Sequence, residues 1–172
     1  ENKGILFRLN KHDIKANIDN LYEASKRGTT LSCNGEKIYT VEHILSALYG
    51  LGIDNAIIEA DNIEIPILDG SSKEYVKKIL SAGIRILDKK RENLVIKKQI
   101  EIKHEDSSIE IYPYDGLKIT FEIDFNNKNI GRQKFTLESL EDYKDEISHS
   151  RTFCTFDEIV ELKKMGLIIG GN

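Results

Sequence analysis

Cysteine is scarce in this chain. Cys33 and Cys154 are the only two in 172 residues, and no CxxC spacing pairs them. That excludes a disulfide scaffold and an all-thiolate zinc site, and it fits a reducing, cytoplasmic compartment. No run approaches the roughly 18 apolar residues of a spanning helix, so the chain is not expected to cross a membrane. No secretory leader is visible. There is no surplus of positive charge either: the net charge is −4. The short basic clusters at Lys89-Lys90-Arg91 and Lys97-Lys98 are interleaved with acids, so they read as solvated surface and not as a nucleic-acid site. HExxH, Walker and Rossmann patterns are lacking, and no repeat recurs at a fixed period. What remains is an ordinary globular composition, 40% hydrophobic and 31% charged, of a length that suits one domain or two small ones.

The pattern along the chain is mixed α and β. "GILFRLN" (4–10) predicts a strand, and 14–27 has helix-like spacing at Ile14, Ile18, Leu21 and Tyr22. "GTTLSCNGEKIYT" predicts a hairpin turning at Asn34-Gly35. Thr40 is the expected N-cap of the next helix. Val41, Ile44, Leu45 and Leu48 form its stripe, small Ser46, Ala47 and Gly50 permit close approach, and Gly52 ends it. "NAIIEA" and "NIEIPIL" predict two strands joined at Asp61-Asn62. Ser71 or Ser72 then caps a helix striped by Val76, Ile79 and Leu80 and ended by Gly83. "LDKKREN" (87–93) is the most charged connector and the expected boundary between domains 1–88 and 92–172. Three strands follow, with turns expected at Ser107-Ser108 and Asp115-Gly116. A short helix is expected near 138–147, then "SRTFCTF" as a strand, a helix at "DEIVELKKMG" and a last strand, "LIIGG".

Glu42 and His43 are the candidates with chemistry. Both fall in the first turn of a helix, where the backbone dipole favours negative charge and a neutral imidazole. A neutral imidazole can bind a metal ion. Neighbouring residues project about 100° apart on a helix, so the pair flanks one ion more readily than it chelates one. His43 would bind the ion and Glu42 would take a proton from its water. On spacing alone, capping and surface chemistry is the more usual explanation of an isolated Glu-His pair. His12, His104 and His149 lie on polar or turn-like segments and read as surface. Asp69 in "DGSS" fits an ordinary turn and helix start. Thr152 could donate to an oxyanion, or could be one residue of an alternating strand. Cys154 has no partner for nucleophilic chemistry.

Taken together, "TVEHILSALYGLGIDNAIIEADNIEIPILDGSS" and "SRTFCTFDEIVELKKMGLIIGG" strongly resemble the UDP-3-O-acyl-N-acetylglucosamine deacetylase family. "GTTL" and "FEIDF" extend the resemblance along essentially the whole chain. The order and spacing of "TVEH", "GIDNA", "DGS" and "RTF" are highly specific. Members are zinc hydrolases of the committed step of lipid A synthesis. The resemblance implies that His43 is a zinc ligand. It implies that Glu42 is the general base acting on zinc-bound water, and that Thr152 polarises the acetamide carbonyl. Phe153 corresponds to an aromatic at the sugar and acyl entrance. The segment 153–171 corresponds to a βαβ insert forming an acyl passage, with Phe156, Ile159, Leu162 and Ile168 as apolar lining.

The implied fold is α+β: two similar α/β-sandwich domains, each a sheet with helices, packed face to face, the second incomplete here. The resemblance also implies extended chain over 14–27 in place of a helix. The family's early "GLHTG"-like turn and its HKxxxD motif, which carries a histidine and an aspartate ligand, are absent, as is a later histidine acid. Cys154 stands where glycine is common. A piece lacking both termini, inactive alone, is therefore expected. The implied whole protein is a cytoplasmic, monomeric zinc amidohydrolase. Its substrate is a UDP-linked acylated N-acetylglucosamine, and nucleic acid is not expected as a partner. The alternative is a truncated homologue that binds UDP-sugar or an acyl chain without catalysis.

Overall fold

The computed structural model describes residues 3–22, 28–125 and 127–164. Both helices and sheets are present, and the chain divides into two compact units. One is Glu1–Gly83 with Tyr143–Asn172, and the other is Ile84–Asp142. The expected domains, 1–88 and 92–172, differ from this division in the C-terminal segment. Tyr143 and Thr152 hydrogen-bond to residues of the first unit, and their segment groups there.

In the first unit, β1 (Ile5–Leu9) is the central strand. It pairs antiparallel with β2 (His12–Lys15) and parallel with β5 (Ala56–Ala60). Asn10 and Lys11 turn the chain with φ of 49° and 70°, the mirror-image turn that suits strand twist. Phe7 faces its partner Ile14 across the ladder, and both are fully buried. Leu31, Ile38, Val41 and Ile65 complete this core. Burying each such side chain contributes about 1.5–3 kcal/mol. Strands β3 (Leu31–Cys33) and β4 (Glu36–Ile38) form the expected hairpin. Asn34 and Gly35 have positive φ at the turn, where Asn and Gly bear little steric cost.

Over 14–22 no α-helix forms, so the extended chain implied by the resemblance, and not the helical spacing, describes this part. Ile14 lies in β2, a single 3₁₀ turn covers Ile18–Asn20, and Ile18 is 78% exposed. Of that spacing only Ile14 reaches the core, as a strand residue, while Ile18 and Leu21 are exposed. Residues 23–27 lie outside the described residues.

Helix α1 (Glu42–Gly50) follows its i, i+3, i+4, i+7 stripe, but Thr40 is not its cap. Thr40 sits at φ 59°, and its hydroxyl donates to Glu64 Oε1 at 2.9 Å; Val41 is the N-cap. Gly52, at φ 69°, turns the chain away after the helix, as expected. Residues 62–68 form no strand. One parallel bridge joins Tyr39 to Glu64, and of the three alternating isoleucines only Ile65 is buried, while Ile63 and Ile67 are exposed. Helix α2 (Lys73–Ala82) starts after Ser72 and stops at Gly83 with φ 86°.

The second unit contains two antiparallel hairpins, β6 (Ile100–His104) with β7 (Ser107–Ile111), and β8 (Ile119–Phe125) with β9 (Gly131–Leu137). The first turn falls at Glu105-Asp106, with Glu105 at φ 51°, so Ser107 and Ser108 are strand residues and not the turn. Strand β9 was not anticipated.

After the second unit, α3 is only Tyr143–Glu146. "SRTFCTF" is not a strand. Helix α4 (Phe156–Lys164) begins with a capping box: the Thr155 amide donates to Glu158 Oε2 at 2.7 Å, and the Glu158 amide donates to Thr155 Oγ1 at 3.4 Å. The expected strand "LIIGG" lies outside the described residues.

Candidate active site

The first turn of α1 is held at its open end by the backbone of Thr29. The Val41 amide donates to the Thr29 carbonyl at 3.2 Å, and the Thr29 amide donates to Glu42 Oε2 at 2.9 Å. Gly28 stands beside the same carboxylate: a Cβ there would lie 3.4 Å from Glu42 Oε1. Glu42 is therefore aimed by "GTT" and does not swing freely. Its side chain is still 35% exposed, which leaves it open to a water or substrate. His43 Nε2 lies 3.9 Å from Glu42 Oε1, and the imidazole is only 11% exposed.

The turn at 69–72 approaches this helix start. Ser72 donates its hydroxyl to the His43 carbonyl at 3.0 Å. Asp69 Oδ1 accepts both the Ser71 amide, at 3.0 Å, and the Ser71 hydroxyl, at 2.7 Å. These hydrogen bonds, with a smaller effect of the Arg151 charge, hold the Asp69 carboxyl below its ordinary pKa. The Lys73 amide in turn donates to Ser71 Oγ at 3.2 Å, so Ser71 closes the start of α2. Asp69 thus plays the turn-forming part its sequence context suggests.

Gly70, at φ 83°, presents its carbonyl to the third segment, and the Thr152 amide donates to it at 2.9 Å. The Thr152 methyl group stands 3.4 Å from where a Cβ on Gly70 would be. Glu42, His43 and Thr152, three of the residues singled out in the sequence, are thus joined through one short turn. Sequence reasoning missed the parts that join them: the Thr29 amide, Ser72 and the Gly70 carbonyl. It also missed Tyr143, whose hydroxyl lies 2.6 Å from Ser46 Oγ. The one signal for that contact was the run of small residues on α1.

The expected acyl-passage residues are less gathered. Phe153 and Phe156 are 56% and 78% exposed, and Ile159 and Leu162 are half-buried on α4. Ile168 lies outside the described residues.

Zinc, implied by the resemblance, can be tested against the donors present. No three His, Cys, Asp or Glu side chains cluster to hold a metal among the described residues. A zinc site takes three or four protein ligands, so His43 with Glu42 beside it does not make one. Among the described residues His43 could therefore supply one ligand, short of the full set that zinc takes.

The chain is similar to several curated proteins. It is 44% identical over 150 residues to the UDP-3-O-acyl-N-acetylglucosamine deacetylase of Aliarcobacter butzleri (strain RM4018), covering 86% of this chain and 50% of that protein. It is 35% identical over 174 residues to the protein of the same name from Nautilia profundicola (strain ATCC BAA-1463 / DSM 18972 / AmH), covering 100% and 60%. It is 41% identical over 161 residues to the bifunctional enzyme LpxC/FabZ of Bacteroides thetaiotaomicron, covering 92% and 35%. The chain spans about half the length of the curated relatives it matches. The family match itself runs from residue 1 to residue 172, and this chain belongs to the UDP-3-O-acyl N-acetylglycosamine deacetylase (LpxC) family.

Proposed function

We propose that the protein to which this chain belongs removes the N-acetyl group of a UDP-3-O-acyl-N-acetylglucosamine, releasing acetate, as a step of lipid A synthesis. The observation that carries the reading is the meeting of three segments: the Glu42-His43 turn, the 69–72 turn and Thr152. Amide hydrolysis needs a base for water and a donor for the carbonyl oxygen. Glu42 is the base: a carboxylate fixed by the Thr29 amide yet open to solvent. Thr152 is the donor, its hydroxyl hydrogen-bonding the acetyl oxygen as negative charge develops there. Phe153, Phe156, Ile159, Leu162 and Ile168 receive the sugar and acyl portions.

Zinc is the proposed cofactor, with His43 as one of its ligands. The architecture that accompanies the reading is two similar domains of sheet and helix, in a cytoplasmic, monomeric enzyme. No helix among the described residues is long and apolar enough to cross a membrane.

The test is acetate release from UDP-3-O-acyl-N-acetylglucosamine by the full-length protein, before and after chelation and zinc replacement. Turnover that chelation removes and zinc restores supports the proposal. A folded, zinc-supplemented protein that binds the UDP-sugar but releases no acetate would instead be a binding homologue without catalysis.

A further inference from the structure

We infer that Tyr143 is a positioning residue, one that sets where Thr152 stands relative to the His43 turn of α1. The inference rests on the deacetylase reading above.

Tyr143 opens α3 and is only 5% exposed. Its ring lies against Gly50, where an added Cβ would overlap the ring atoms, so glycine is what admits an aromatic side chain at this distance. Its hydroxyl lies 2.6 Å from Ser46 Oγ. Ser46 is three residues beyond His43 and four before Gly50, spacings that place all three along one side of the helix. The ring therefore lies along the same strip of α1 that begins with His43.

Between Tyr143 and Ser150 short-range hydrogen bonds hold the chain. The amides of Ile147 and Ser148 both donate to the Tyr143 carbonyl at 2.9 Å, and the Ser150 amide donates to the Ile147 carbonyl at 2.8 Å. Buried Ser148 donates its hydroxyl to the Lys144 carbonyl at 2.6 Å. The Thr152 amide then reaches Gly70, and Ser72 returns to His43. The contacts close a ring: His43, Ser72, Gly70, Thr152, Tyr143, Ser46 and back along α1 to His43.

The 69–72 turn is one tether between Thr152 and the helix, and Tyr143 is a second. Phenylalanine would fill the same space against Gly50. The tyrosine hydroxyl adds a fixed point along the helix axis, and a buried phenol group finds such a partner for this reason. An oxyanion donor works only when placed within a few tenths of an ångström, and a 1 Å misplacement can cost about 10²-fold in rate.

The experiment compares full-length wild type with Tyr143→Phe, Ser46→Ala and the pair together. Each single substitution is expected to lower kcat about 10-fold, within the range that small misplacements produce, with KM near wild type. The double variant is expected to be no slower than the slower single one, because both remove the same contact. Faster exchange of the Thr152 amide hydrogen in Tyr143→Phe is also expected, and this readout does not depend on turnover.

Single variants that keep the wild-type kcat and the wild-type Thr152 protection, while melting earlier, would overturn the inference and leave Tyr143 a packing residue. Losses that multiply in the double variant would overturn it too. If the wild-type protein releases no acetate, the deacetylase reading fails, and Thr152 exchange alone decides the positioning role.

Discussion

The backbone amide of Thr29 donates to Glu42 Oε2 at 2.9 Å. This one bond fixes the rotamer of a carboxylate on the first turn of a helix and leaves its second oxygen toward His43. It also separates two roles for Glu42, because glutamine retains an acceptor for the Thr29 amide but cannot serve as a base. Glu42→Gln is expected to keep the fold and melting temperature close to wild type while kcat falls by about 10²–10⁴-fold. Full-length protein assayed for acetate release checks this. Near-wild-type turnover in Glu42→Gln would remove Glu42 from the chemistry and leave it a structural clasp for "GTT".

His43 is expected to reveal itself in metal content before activity. The imidazole is largely buried, and its backbone carbonyl is already used by Ser72. Changing the side chain therefore alters a donor atom without breaking that tether. His43→Ala in the full-length protein is expected to lower bound zinc sharply, read by elemental analysis after dialysis, with the far-ultraviolet circular dichroism retained. Zinc content equal to wild type would exclude His43 as a ligand.

Where local chemistry decides the structure, the residues could be read directly. Asn34-Gly35 demanded a hairpin because both positions need positive φ, and both have it. The 41, 44, 45, 48 stripe located α1, and its small residues anticipated a close neighbour, which is Tyr143. Reading failed where a partner at long range decides. Strand β9 pairs Arg132 with Asp124 and Lys134 with Glu122, so its outward face looks like loop composition until β8 is placed beside it. Residues 62–68 alternate as a strand would, but only one residue bridges, and the outer isoleucines are left exposed.

The site divides in the same way. Adjacent Glu42 and His43 were visible as side chains, whereas what aims them is mostly backbone. The Thr29 amide is 13 residues from Glu42, and Ser72 is 29 from His43. An amide contact of that kind leaves no residue-type signature. Only the resemblance of whole motifs pointed to the function.

Asp69 links the site to acid stability. Its carboxyl is held below the ordinary range by hydrogen bonds from the Ser71 hydroxyl and amide, with Arg151 adding to the effect. A depressed folded-state pKa means stability that is present above the unfolded value, about 3.9 for Asp, and is lost as pH falls through the folded value. Asn at position 69 keeps an acceptor for Ser71 but carries no charge at any pH. The urea midpoints of wild type and Asp69→Asn are therefore expected to differ near neutrality and to converge below about pH 4. A difference that stays constant down to pH 2 would show that charge on Asp69 contributes nothing.

Gly50 offers the sharpest packing test, because two effects oppose each other there. Alanine is a better helix former than glycine by about 1 kcal/mol in a helix interior, and less at position 50, the last residue of α1. Against this, the new Cβ would overlap the ring of Tyr143, a residue that is 5% exposed and tied to Ser46, so the ring cannot swing out to solvent. Overpacking of this kind costs about 1–3 kcal/mol, and the clash should win. Gly50→Ala is expected to lower the urea midpoint at unchanged slope. In a Tyr143→Ala background the obstacle is gone, and the same substitution should become neutral or stabilising through propensity alone. A penalty of equal size in both backgrounds would place its cause elsewhere on α1, and the Tyr143 ring would no longer explain the glycine.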